Sequence, residues 1–184
     1  MRNCCAGFGR VARIAVIAAG AFASAPATVL LAQQTPAPAA ISSSRDIDRE
    51  IWAVIIDTVL KDDIVRMGAT YLPDAVLVTP TGTQPIKTAL DRWGRDMVAN
   101  KAKGTHATVE FRFAQRLDGE TTAFERGIFN YTTIDKDGKS TPGYYPFEEL
   151  LITSGRKWRI VMERQFAAVT AADWAKLPAW TPGK

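Results

Sequence analysis

Two pairs of adjacent charged residues near the C-terminal end of the chain could take part in proton transfer. Glu148 lies next to Glu149, and Glu163 lies next to Arg164, in segments whose composition is typical of β-strands. Side chains of a strand alternate between its two faces, so one member of each pair points toward the interior. A buried carboxyl group has a raised pKa and can act as a general acid or base near neutral pH.

A structural role is the more frequent outcome for such residues, because ion pairs between strands resemble functional sites. The candidate partners of Glu148 in such a pair are the arginines of neighbouring strands, namely Arg112, Arg126 and Arg164. For the second pair, Glu163 shares a strand face with Gln165, whereas Arg164 shares the opposite face with Trp158 and Ile160. The alternation alone does not tell which of these faces is concave.

Other types of site have little support in this sequence. Tyr71, Tyr131 and Tyr145 could offer hydroxyl groups to a ligand, although aromatic residues are more often part of a core or interface. His106 is the only histidine, and no spacing of His, Cys and Asp is typical of a metal site. Glycine-rich phosphate loops and serine or cysteine nucleophiles with a histidine partner are not found. We therefore expect neither a metal nor a cofactor.

Three strand-like segments follow one another and organise the rest of the chain. They span residues 121–134, 144–153 and 157–166 and are rich in aromatic and β-branched residues. The junctions at 135–138 and 154–156 are short and contain glycine, as tight hairpin turns require. The pattern predicts an antiparallel meander whose apolar face must be covered by other elements.

The preceding part of the chain can supply that cover. Ile47, Ile51, Ile55 and Val59 recur at helical spacing and predict a first helix that begins near Ser44. The patterns that follow predict a short helix, a strand, a third helix and a further strand, at residues 64–69, 71–79, 85–100 and 108–117. The order of elements is that of an α+β domain. Near the C-terminus, residues 170–173 could cap one more helical turn, with Trp174 and Trp180 as anchors.

The first residues of the chain have the features of a Sec-type secretory signal peptide. Arg2, Arg10 and Arg13 precede an apolar run, and small residues follow it. We predict a signal peptide over residues 1–32, cleaved after Ala23 or Ala32, and a disordered Pro/Ala/Ser linker over residues 33–43. The expected destination is the periplasm or the exterior, with no stable membrane insertion after cleavage.

Removal of this leader changes the charge and the cysteine content of the protein. All 19 acidic residues but only 20 of the 23 basic residues lie beyond residue 40, so the net charge falls from +4 to +1. Both cysteines are lost with the leader. The mature protein therefore has no disulfide, and its low charge gives no support to nucleic-acid binding.

Three sequence features together resemble the NTF2-like superfamily, specifically its SnoaL-like and DUF4440-type members. They are the acidic junction Asp62-Asp63 before a short helix, the bend Tyr71-x-x-Asp74-Ala75 followed by an apolar strand and Thr81-Gly82, and the closing run Gly155-Arg156-Lys157-Trp158-Arg159-Ile160. The resemblance implies a cystatin-like cone over residues 44–168, in which a curved antiparallel sheet wraps over three N-terminal helices. Residues 169–184 then form a C-terminal tail. Members of the family commonly dimerise through the sheet.

The resemblance also suggests where a site would lie. Thr79 occupies the position of the catalytic base of ketosteroid isomerase, and the position of its helix-1 tyrosine falls near Ile55, so isomerase chemistry of that type is not expected. Glu148 matches the acid of that enzyme on the penultimate long strand and is expected to face the pocket, with Glu163 as a possible second carboxylate. The ligand-binding candidates are Thr79 and, for their hydroxyl groups, Tyr71, Tyr131 and Tyr145.

We therefore predict an exported domain that binds a small, mainly apolar organic molecule in a cone-shaped pocket without catalysis. A cofactor-independent isomerase, dehydratase or hydrolase that uses a pocket carboxylate is the alternative. A module for homo- or hetero-association is the second alternative. Whether the protein is an enzyme stays open at this stage, because the fold does not determine the function.

Overall fold

The computed structural model describes residues 40–182, with side chains from residue 44 onward. The predicted signal peptide and residues 33–39 of the predicted linker lie outside the described residues. Among residues 40–182, no helix is both long and apolar enough to span a membrane.

Three helical segments precede and flank the sheet, and a fourth lies near the C-terminus. The first runs without a break through α1 (Ala40–Ile47), a π-helical turn (Asp48–Trp52) and α2 (Ala53–Lys61), and the others are α3 (Ile64–Gly68), α4 (Ile86–Ala102) and α5 (Ala171–Ala175). The described part of the first helix includes residues 40–43, which were predicted to belong to the linker.

The acidic junction Asp62-Asp63 separates the first helix from the short α3. Asp62 adopts a left-handed conformation with φ of 56° and ends α2. The side chain of Asp63 accepts a hydrogen bond of 3.0 Å from the backbone nitrogen of Arg66 and caps α3. These two residues turn the chain so that the short α3 can precede the first strand.

The sheet has six strands in the order β2-β1-β6-β5-β4-β3. Their bounds are β1 Tyr71–Thr79, β2 Gly82–Pro85, β3 His106–Asp118, β4 Thr122–Ile134, β5 Ser140–Ser154 and β6 Lys157–Gln165. The predicted meander of β3 to β6 is confirmed, and so is the α+β class. The sheet is mixed rather than wholly antiparallel, because β1 pairs in parallel with β6. This pairing joins strands that are far apart in sequence, and no turn signal could indicate it.

Two β-bulges change which side chains face the interior. In β3 the register shifts between Phe113 and Gln115, and in β6 Ile160 and Met162 pair with the consecutive residues Leu151 and Leu150. An extra residue in one strand reverses the alternation beyond it. Arg116 therefore points inward instead of outward, and Glu163 shares the inner face with the earlier core residues of β6.

The helices pack on the concave face of the sheet through an aromatic core. Trp52 is fully buried, and its ring centroid lies 4.7, 5.1 and 5.4 Å from those of Phe111, Phe113 and Phe147. These three phenylalanines come from β3 and β5 and share the inner face. The packing fixes the first helix over the meander and leaves space nearer its C-terminal end.

The C-terminal segment crosses the edge strand β3. The helical turn that residues 170–173 were predicted to cap is α5, and Thr170 and Asp173 form a capping box at its start. The guanidinium of Arg112 donates hydrogen bonds of 3.2 and 2.9 Å to the carbonyl oxygens of Trp174 and Leu177. Trp180 packs edge-on against Phe113, with ring centroids 4.9 Å apart. Arg112 lies on the outer face and Phe113 on the inner face, so the chain passes around the edge of the sheet between them.

Candidate functional site

A cavity of about 520 Å³ lies between the first helix, α4 and the concave face of the sheet. Its volume is within the range of small-molecule sites. Most of its wall is apolar and includes Ile55, Val59, Trp93, Met97, Phe111 and Phe129. Asp96, Asn100 and Lys103 of α4 contribute polar groups, and Asp96 and Lys103 are exposed.

Three glutamates stand side by side on the inner face of the sheet. The strand register places Glu125 of β4 opposite Glu149 of β5, and Glu149 opposite Glu163 of β6. Their exposed fractions are 0%, 3% and 6%. Glu149 and Glu163 line the cavity, whereas Glu125 lies beside it. Buried carboxyl groups in a row are costly unless they are protonated or paired, so their partners define the site.

Glu125 is held by an ion-pair network. Its Oε2 accepts a hydrogen bond of 2.6 Å from Nε1 of Trp52, and its Oε1 accepts one of 2.7 Å from Nε of Arg116. Arg116 also bonds Asp48 at 2.7 Å, so one guanidinium serves two carboxylates. Burial raises the pKa of Glu125 to about 7, although Arg116 opposes the shift. The network connects the π-helical turn to two strands of the sheet.

Glu163 accepts hydrogen bonds at both carboxyl oxygens. The hydroxyl of Tyr71 donates to Oε2 at 2.6 Å, and Nε2 of Gln165 donates to Oε1 at 2.5 Å. Burial raises the pKa of Glu163, while these two donors lower it. Burial together with the charge of Glu163 holds the pKa of Tyr71 well above its usual value, so the phenol remains a donor.

Glu149 differs from its two neighbours in having a carboxyl oxygen without a partner. Its Oε2 is buried and has no hydrogen-bond partner among the residues that the structure describes. Burial is the main cause that raises the pKa of Glu149 well above its usual value, followed by the charges of Glu163 and Glu125. The raised pKa favours the protonated carboxyl group of Glu149, which can donate as well as accept a hydrogen bond.

The structure corrects the orientation that was expected for Glu148. Glu148 lies on the outer face of the sheet, where its Oε2 is 3.5 Å from Nη1 of Arg164. Arg126 stands opposite Glu148 on the other side, so the outer row alternates in charge. The ion pair with a neighbouring strand, stated above as the structural alternative, is the arrangement found. Glu149 takes the inward position because it shares a face with the buried Phe147.

The remaining predicted site residues are divided between the cavity and the sheet edge. Glu163, Tyr71, Tyr131 and Tyr145 all line the cavity. Burial raises the pKa of Tyr131, and the nearby Asp62 and Asp96 add to the effect. Thr79 does not line the cavity. Its hydroxyl group donates a hydrogen bond of 3.2 Å to the carbonyl oxygen of Gly82 in the β1–β2 hairpin.

Glu149 and Glu125 are the residues of this row that sequence reasoning did not select. Their alternation with Phe147, Leu151 and Ala123 is a signal for the inner face, but the outward residues of β5 are equally apolar. For metals, no group of three or more His, Cys, Asp or Glu side chains within residues 44–182 is arranged to hold an ion.

Comparison with solved structures identifies the fold. A nuclear transport factor 2 (NTF2-like) superfamily protein from Salmonella enterica serovar Typhimurium LT2 matches with a TM-score of 0.54 and 16% identity, over 72% of this chain and 96% of that one. An NTF-2-like protein of unknown function from Shewanella oneidensis MR-1 matches with a TM-score of 0.53 and 13% identity, over 66% and 97% of the two chains. An uncharacterized protein with a cystatin-like fold from Caulobacter vibrioides matches with a TM-score of 0.53 and 11% identity, over 72% and 94%.

The chain therefore has the NTF2-like fold, as its resemblance to that superfamily implied. Identities of this size establish the fold alone, and the SnoaL-like or DUF4440-type subgroup stays a prediction. No model of a protein family matches the sequence. No curated protein matches it either.

Proposed function

We propose that the protein is exported and binds a small, mainly apolar organic molecule in the cavity described above. The observation that carries the proposal is Glu149, which lines a mostly apolar cavity and whose buried Oε2 has no hydrogen-bond partner among the described residues. Apolar walls supply the affinity for such a ligand, and a few polar groups fix its orientation. Export is supported by the arginines and apolar run at the N-terminus, and the mass of the exported protein would locate the cleavage site.

The cavity can be tested with a variant that blocks its entrance. Ala99 lines the cavity yet is exposed on α4, so Ala99→Trp adds volume at the mouth without repacking the core. Its neighbour Val98 is 72% exposed and does not line the cavity, which makes Val98→Trp the matched control. The probe is the neutral dye N-phenyl-1-naphthylamine, whose fluorescence rises in apolar sites.

We expect the wild type and Val98→Trp to bind the dye alike and Ala99→Trp to bind at least tenfold more weakly. Native mass spectrometry of the exported protein would complement this titration by showing any bound molecule as excess mass that disappears on denaturation. Equal affinity of the dye for all three proteins would contradict a ligand site in this cavity.

A second candidate function is a cofactor-independent isomerase, dehydratase or hydrolase. It is favoured by the position of Glu149 directly opposite Glu163 in the cavity, with the hydroxyl of Tyr71 bonded to the latter. Two carboxyl groups with raised pKa values could exchange a proton with a bound substrate. Glu149→Gln and Glu163→Gln should then each abolish a turnover that Glu148→Gln retains. Full turnover in both cavity variants would exclude this role.

Association through the outer face of the sheet is the remaining alternative. The register places one apolar row across this face, made of Leu117, Phe124, Leu150, Met162 and Val76. Leu117 and Leu150 are 55% and 38% exposed. A contiguous apolar surface of this kind supports a homodimer. Sedimentation equilibrium would show a dimer that Leu150→Glu dissociates, and a monomeric wild type would refute the proposal.

A further inference from the structure

The charges around the cavity indicate what kind of ligand it accepts, an inference that rests on the proposed binding function. The buried carboxyl groups of Glu125, Glu149 and Glu163 lie on three neighbouring strands. Of these three, Arg116 bonds only Glu125, and its other carboxylate partner is Asp48. Glu149 and Glu163 thus meet in the cavity without a cation between them among the described side chains. This end of the cavity is rich in hydrogen-bond acceptors.

The nearby donors are already directed elsewhere. The hydroxyl of Tyr71 and an amide hydrogen of Gln165 both point to the two oxygens of Glu163. The acceptor left for a ligand is the carboxyl group of Glu149, which lines the cavity on a side chain that is 97% buried and whose Oε2 has no hydrogen-bond partner among the described residues. A buried acceptor without a donor costs free energy, and a ligand that brings the donor recovers it.

We propose that the ligand of this cavity carries a cationic nitrogen, an ammonium or amidinium group, on an apolar body, and that Glu149 binds this nitrogen. A cation is the complement of two adjacent carboxyl groups in a low-dielectric site, since hydrogen bonds between ionised partners are roughly twice as strong as neutral ones. The apolar wall formed by Trp93, Phe111 and Phe129 would cover the rest of the molecule, and aromatic faces also attract cations.

Binding of this type has a defined proton balance. The carboxylic acid of Glu149 gives up its proton to solvent, and the ammonium group takes the place of that proton beside the carboxylate. Up to one proton is therefore released for each cation bound. The titratable and charged groups that face Glu149 or the cavity from the surrounding elements are Glu125 and Arg116 beside it, Glu163 and Tyr71 across from it, Tyr131 and Tyr145 on the wall, and Asp96 and Lys103 on α4.

Three probes share a naphthalene ring and differ in the charge of their polar group. They are the cationic 2-naphthylmethylamine, the neutral 2-naphthylmethanol and the anionic 2-naphthoate. Isothermal titration calorimetry at pH 7 would give the affinity of each for the wild type, for Glu149→Gln and for the control Glu148→Gln on the outer face. We expect the wild type to bind the amine at least tenfold more tightly than the alcohol, and the carboxylate most weakly. Glu149→Gln should lose this preference and Glu148→Gln should keep it.

A second measurement uses the wild type alone and does not depend on the folding of a variant. Titrations in two buffers of different ionisation enthalpy count the protons exchanged, and we expect release of up to one proton with the amine and none with the alcohol. The affinity for the amine should also rise between pH 5 and pH 8, because protons compete with it for Glu149.

The outcomes distinguish this inference from the proposed function. If the alcohol or the carboxylate binds as tightly as the amine, and Ala99→Trp abolishes that binding, the cavity binds ligands but the inference is wrong. An amine affinity that does not change with pH, with no proton release, also overturns it. If none of the three probes binds up to its solubility limit, both the inference and the proposed binding function fail.

Discussion

The row of buried glutamates predicts that the folded protein loses stability as the pH rises from 5 to 8. The perturbation is the pH itself, and the variant Glu125→Gln isolates one member of the row. In the folded protein the pKa of Glu125 is raised to about 7 from the ordinary value of 4.5. A group with a raised pKa stabilises the folded state fully below its unfolded pKa, and this contribution is lost as the pH rises through the folded pKa.

The size of the effect follows from the two pKa values of Glu125. At about 1.4 kcal/mol per pKa unit, its titration lowers the free energy of unfolding by about 3 kcal/mol between pH 4.5 and pH 7. The pKa values of Glu149 and Glu163 are also raised, so both act in the same direction. Since a domain is stable by only about 5 to 15 kcal/mol, the loss is a large fraction of the total.

Carboxyl groups with lowered pKa values act outside this range. Hydrogen bonds from Lys61 and Lys176 are the main causes that lower the pKa values of Asp57 and Asp173. Their contributions are present above the unfolded pKa near 3.8 and are lost only in stronger acid. Asp57 and Asp173 therefore do not change the pH dependence of the free energy of unfolding between pH 5 and pH 8.

The assay is urea unfolding followed by tryptophan fluorescence at pH 5, 6, 7 and 8, with the linear extrapolation to water. Glu125→Gln costs stability at every pH because Arg116 loses a partner, so the comparison is of slopes rather than of absolute values. Between pH 5 and pH 8 the free energy of unfolding should fall by about 3 kcal/mol less for the variant than for the wild type. A wild-type stability that is constant or rises over this range would refute the reasoning about all three glutamates.

Two further predictions concern the parts of the sheet that position the site. Gly127→Ala should destabilise the protein by about 3 kcal/mol, because a Cβ there would lie 2.0 Å from the carbonyl oxygen of Arg112. Gly68→Ala, which has adequate space, is the control in thermal unfolding, and equal midpoints for the two variants would contradict the argument. Arg112→Ala removes both hydrogen bonds to the carbonyls of Trp174 and Leu177, so limited proteolysis should cleave the tail at least tenfold faster. An unchanged cleavage rate would show that other contacts hold the tail.

The order of the long elements could be predicted from the sequence because each has a strong local signal. Runs of aromatic and β-branched residues with short glycine-containing junctions predicted the strands of the meander, and the Asp62-Asp63 junction indicated the boundary before the short second helix. The short strand β2 was not predicted, since four residues that include Pro85 have no periodicity of their own. Parallel pairing of β1 with β6 depends on contacts that are distant in sequence, and local patterns carry no information about them.

The candidate site was predicted in part, and the error has a physical cause. Glu148 and Glu149 each alternate with apolar residues, so both faces of this part of β5 look buried from the sequence. The choice of Glu148 rested on a resemblance, and a shift of one residue moves a side chain to the opposite face. The sequence left open whether Glu163 or Arg164 points inward; the bulge at residues 160–162 turns Glu163 to the inner face, and no sequence signal marks that bulge.

The C-terminal segment that passes around β3 has a consequence for how copies of this protein can meet. An open sheet edge presents unpaired backbone groups and can recruit strands from other molecules without limit. Here one edge is crossed by the chain between Trp174 and Trp180, and the other edge is the four-residue β2, which ends in a proline. Neither end of the sheet is a good template for another strand. Addition of a further strand at either edge, the route by which sheets grow into fibres, is therefore disfavoured.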